Sequence, residues 1–90
     1  MEALAIMDQL IKAGEEWGTK ASLHILLRKT EFEVTFCSTR EDFRDHSRDV
    51  SMGSMAKATT LEAAIKECAQ KWLNNMGNGK EMKKLQALLP

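Results

Sequence analysis

The stretch Ala56-Lys57-Ala58-Thr59-Thr60-Leu61-Glu62-Ala63-Ala64-Ile65 decides how this chain of 90 residues folds. It reads as the end of a strand passing through a Thr-x-x-Glu capping box into an amphipathic helix. With Thr59 as the N-cap, its hydroxyl accepts from the Glu62 amide and the Glu62 carboxylate reaches back to the Thr59 amide. Leu61, Ile65, Cys68, Trp72 and Met76 then recur at helical spacing, and Gly77 stands where a left-handed residue closes a helix. The spacing predicts a helix over 60–76.

Upstream of that junction, residues 50–58 alternate Val50, Met52, Ser54, Ala56 and Ala58 against Ser51, Gly53, Met55 and Lys57, the pattern of a strand. Residues 20–28 and 31–38 alternate in the same way and read as a hairpin. Leu27 opposite Phe32, Ile25 opposite Val34 and Leu23 opposite Phe36 puts these six apolar side chains on one face. A slip by one residue would turn one set outward, so the pattern selects the register. Lys29-Thr30 is poor chemistry for a two-residue primed turn, and a four-residue loop is expected there.

The first helix is expected over residues 2–13, with Ala3, Leu4, Met7, Leu10 and Ile11 on one face and Gly14 ending it. Trp17 is expected to cap the core at the helix–strand corner. The order is therefore α-β-β-β-α, an α+β domain with a three-stranded antiparallel sheet covered on one face by two helices. Residues 1–79 make up this domain. Beyond Gly77-Asn78-Gly79, residues 80–90 form a short C-terminal amphipathic helix appended to it, with Met82, Leu85, Leu88 and Leu89 on one side.

Composition narrows the function. A chain with 43% hydrophobic and 29% charged residues is globular rather than disordered. Thirteen basic and thirteen acidic side chains leave no formal net charge, which weighs against a polyanionic partner. Cys37 and Cys68 form no Cys-x-x-Cys pair and read as free thiols in a reducing, cytoplasmic setting. No apolar run approaches the roughly 18–20 residues that cross a bilayer, so no membrane partner is expected.

Several constellations invite a chemical reading. Asp42, Asp45, His46 and Asp49 offer carboxylate and imidazole donors suited to a divalent metal, but three interleaved arginines make 39–49 read as a solvated excursion, with Phe43 tucking back. His24, Cys37 and Glu33 share the polar sheet face, where a nucleophilic pair needs an oriented imidazole. No phosphate-binding loop, zinc spacing or nucleophile elbow occurs. No enzyme activity, metal or cofactor is expected.

The element order resembles that of double-stranded RNA-binding domains. Where that family carries lysines at the start of its last helix, this chain has Thr59, Thr60, Leu61 and Glu62, with Lys57 and Lys66 flanking. The stretch 56–69, together with the strand Phe32-Glu33-Val34-Thr35-Phe36, also resembles the helix–sheet–helix (alpha-beta-alpha sandwich) accessory proteins of tailed phages and prophages. That resemblance covers residues 3–76 and implies a phage or prophage origin.

The expectation is a non-catalytic accessory protein that binds another protein or itself, as a homo-oligomer. Its contact residues would be Met82, Leu85, Leu88 and Leu89 on the C-terminal helix, with Leu26 and Met55 on the uncovered sheet face. That this helix instead folds back on its own core is an equal expectation. The alternative is nucleic-acid binding through a patch of Arg28, Lys29, Lys80, Lys83 and Lys84, which would weaken steeply with salt.

Overall fold

The computed structural model describes residues 2–41, 49–76 and 78–89. Helix α1 (Glu2–Trp17) leads into strands β1 (Lys20–Arg28), β2 (Glu31–Glu41) and β3 (Asp49–Ala58). Helices α2 (Leu61–Leu73) and α3 (Lys80–Ala87) follow. The strands form one antiparallel sheet in the order β1-β2-β3, so the architecture is α+β with an open three-stranded sheet.

The hairpin register follows the apolar pattern. Leu27 pairs with Phe32, Ile25 with Val34, and Leu23 with Phe36, while β3 sets Ala56 beside Val34 and Ser54 beside Phe36. Pairing runs to Arg28 and Glu31, so the connection is the two residues Lys29-Thr30 and not a longer loop. No described non-glycine residue has a positive φ, so the turn is made without the left-handed residues of a primed turn.

Helix α1 runs four residues further than the glycine signal suggests. Gly14 lies inside it, buried, because this is where the helix presses on the sheet. A Cβ at Gly14 would come 2.6 Å from Phe36 Cζ and 2.8 Å from Ala21 Cβ. The buried Ser38 hydroxyl donates to the Gly14 carbonyl at 2.6 Å, and Gly18 N donates to the same carbonyl at 2.9 Å. The glycine marks a close approach, not a helix end.

Helix α2 starts one residue later than expected. Thr60 is its N-cap, and its hydroxyl accepts from Ala63 N at 3.2 Å. Glu62 is thereby moved off the third helical position, and its carboxylate ion-pairs with Lys66 at 3.6 Å instead of closing a capping box. The helix ends at Leu73; Asn74 N donates to Gln70 O at 3.0 Å, and Gly77 lies outside the described residues.

Both long helices cover the same sheet face. Trp72 meets Phe36 edge-on with ring centroids 5.2 Å apart, and its indole Nε1 donates to Met52 O at 3.3 Å. Ile6, Leu10, Val34 and Ile65 fill the layer between helices and sheet, all fully buried. Cys68 is buried beside Ser54, and desolvation pushes its thiol pKa up. Helix α3 packs on α1 and α2 and touches no strand.

Candidate functional site

Helix α3 is tied to the domain by charge as well as by apolar contact. Its N-cap, Gly79, has no side chain to offer. The Glu16 carboxylate, carried by the last turn of α1, takes that role and accepts from Glu81 N at 3.0 Å and Met82 N at 3.3 Å. Gln9 Nε2 donates to Glu81 O at 2.9 Å and to the Glu81 carboxylate at 2.7 Å. That side-chain hydrogen bond holds the Glu81 pKa below the usual carboxylate range.

Met82 and Leu85 accordingly sit in the chain's own core, 5% and 0% exposed. This corrects their expected place on a free docking face. The apolar side of α3 finds its partner in α1 and α2, so only Leu88 is left exposed and Leu89 is partly buried. Leu26 and Met55 are exposed on the uncovered sheet face, but on its two opposite edge strands, with β2 between them.

The five basic residues of the expected nucleic-acid patch are not gathered on one element or one interface. Lys80, Lys83 and Lys84 ride on α3, which contacts only the two helices, whereas Arg28 and Lys29 are at the hairpin tip. Arg28 is already paired with Glu33 at 2.9 Å, and Lys84 with Glu81 at 3.4 Å. Two of the five are thus in ion pairs, and the five are divided between α3 and the hairpin tip.

Nothing among the described residues assembles a reactive centre. His24 pairs with Thr35, while the partly buried Cys37 lies opposite Ser22, with its Sγ 3.8 Å from Thr39 Oγ1. Glu33 is held by Arg28 and does not orient the imidazole. No described group of His, Cys, Asp and Glu is placed to hold a metal ion. Asp42, Phe43, Asp45 and His46 lie outside the described residues, and Asp49 pairs with Glu41 at the far end of the sheet. A cavity of about 260 Å³ lined by Trp17, Gly18, Thr19, Arg40 and Glu41 lies at that end. The face of Trp17 is taken by the Arg40 guanidinium, 4.5 Å from the ring centroid.

The feature that does stand out is β1. Ile25, Leu26 and Leu27 are 41%, 52% and 70% exposed, and no residue of this strand is buried. Leu4 of α1 is also exposed. Helix α1 has its C-terminal end beside Ala21 and Phe36, so it runs back along the sheet and places Leu4 toward the Leu27 end. Large apolar side chains thus open to solvent on both faces of one edge strand, which is unusual for a folded surface. The run Ile25-Leu26-Leu27 is visible in the sequence. Its exposure was not, because alternation alone does not show that the helices leave this end of β1 uncovered.

Comparison of the chain with protein-family models, curated proteins and solved structures found no match. No described helix is long and apolar enough to cross a membrane.

Proposed function

We propose that this protein is a non-catalytic interaction protein whose contact surface is the open sheet edge at β1, with the hairpin end of α1 beside it. The observation that carries the reading is the exposure of three consecutive apolar residues, Ile25, Leu26 and Leu27. Burying what is still exposed of each would contribute roughly half of the ~1.5–3 kcal/mol that full burial of such a side chain supplies. Apolar exposure concentrated on an edge strand marks protein contact, because such an edge also presents unpaired backbone groups.

The reactive side chains support a binding role over catalysis. Cys68 is buried with a raised pKa, the Cys37 thiol lies beside the Thr39 hydroxyl, and Glu33 is held in an ion pair. Two unpaired cysteines suit a reducing, cytoplasmic compartment. A phage or prophage origin rests on the resemblance of residues 3–76 and on nothing else.

A photoreactive amino acid at Leu27 of the full chain, introduced in the producing cell, tests the reading. Covalent adducts with one defined protein or with a second copy, lost on Ile25→Lys, are expected. Adducts at Leu88 with none at Leu27 would contradict it.

A further inference from the structure

We infer that the partner at β1 is a second copy of this chain, joined edge to edge so that two three-stranded sheets become one of six strands. The inference rests on the proposed contact surface and adds its occupant and register.

The two sheet edges are treated differently. On the outer edge of β3 the Met55 carbonyl is engaged by a side chain of α2, accepting from Lys71 Nζ at 3.1 Å. No described side chain bonds the backbone of β1. Its pairing with β2 is continuous over nine residues, and it contains no proline. Between Lys20 and Arg28 it carries no lysine, arginine or carboxylate. The usual devices that blunt an edge are missing from this one strand.

The direction of the free groups follows from the hairpin. A two-residue loop closes on a hydrogen-bonded pair, here Arg28 with Glu31, so alternate residues of β1 direct their amides and carbonyls to β2. The Phe36 carbonyl agrees, because it points to β3 and would lie 2.8 Å from a Cβ at Gly53. Leu23, Ile25 and Leu27 therefore aim their N–H and C=O groups outward along the open edge.

A two-fold axis requires that residue i meet j while j meets i. An antiparallel pairing centred on Ile25 satisfies this and keeps the helix-covered faces on one side. Ile25 then meets Ile25 of the second copy, Leu23 meets Leu27, and His24 meets Leu26. Ser22 lies opposite Arg28, and Lys20 opposite Thr30, so no like charges face each other. A shift by one pair in one direction would set Lys20 against Arg28, and in the other would set Leu23 against Lys29. Charge and apolar matching thus select one register. Zero formal net charge opposes no approach of two copies.

The test uses the full chain with Cys37→Ser and a single new cysteine. With Ile25→Cys, mild oxidation of the dimer should give a near-complete covalent dimer, because paired Cα atoms lie within disulfide reach. With Lys20→Cys, cross-linking should be minor, since the two sulfurs would be roughly 30 Å apart along the strands. Ile25→Pro, a residue tolerated on edge strands, should weaken dimerisation by about tenfold or more without loss of fold. A monomer at every attainable concentration, or a dimer that cross-links at Lys20→Cys but not at Ile25→Cys, would overturn the inference. A monomer that forms photoadducts with a different protein at Leu27 would overturn self-pairing alone and leave the contact surface standing.

Discussion

The Glu16 carboxylate occupies the space that a side chain at position 79 would need. A Cβ built on Gly79 would lie 2.6 Å from Glu16 Cδ and closer still to Glu16 Oε1. The absence of a side chain at one position thus lets a residue 63 positions earlier cap the last helix. Glu16→Ala should cost about 1 kcal/mol, as removal of a cap does. Gly79→Ala should cost more in the native background than in Glu16→Ala, because the second variant has already cleared the space. A double-mutant cycle by urea denaturation measures this coupling. Strict additivity would show that the carboxylate does not seat there.

The same helix should come under pH control through Glu81. Its carboxylate is held in the charged form by Gln9, with help from Lys84 and Lys12. A lowered folded-state pKa contributes stability that is fully present above the ordinary carboxylate value and fades as pH falls through the lowered one. Glu81→Gln should therefore be less stable than the native chain at neutral pH, with the gap closing in acid. An equal gap at all pH values would show that the charge is immaterial.

The junction of α1 with β2 offers a second structural test. Ser38→Ala leaves the Gly14 carbonyl with the Gly18 amide alone and should cost about 1 kcal/mol. Gly14→Ala drives a methyl into Phe36 and Ala21 and should cost about 1–3 kcal/mol. Thermal denaturation of the two variants gives both values.

Core and contact surface separate by mutation. Leu85→Ala should destabilise the fold by about 2–5 kcal/mol, because the side chain is fully buried. Leu27→Ala should change stability by no more than about 0.5 kcal/mol while weakening association. A Leu85→Ala protein with unchanged stability and lost association would restore α3 as the docking element.

The fold was legible where the sequence carries period-two and helical patterns. Leu23, Ile25 and Leu27 opposite Phe36, Val34 and Phe32 gave the register without the turn, since a one-residue slip exposes a whole face. Boundaries were less legible, for local reasons. Gly14 reads as a stop signal until Phe36 is known to press on it. The capping-box pattern with Glu62 favours Thr59 on paper, yet Thr60 is the cap and Glu62 turns to Lys66. The apolar side of α3 was plain, but whether it met its own domain or another chain depended on Glu16, an interaction across 65 positions. The open edge at β1 was hidden for the same reason, because exposure is set by where helices end on the sheet.

Amide hydrogen exchange of Leu23, Ile25 and Leu27, followed against protein concentration, tests the central claim most directly. Protection of these three amides should rise in step with the dimer fraction, while amides of Ser22, His24 and Leu26 stay protected throughout by β2. Exchange at Leu23, Ile25 and Leu27 that remains fast in a fully dimeric sample would contradict the account.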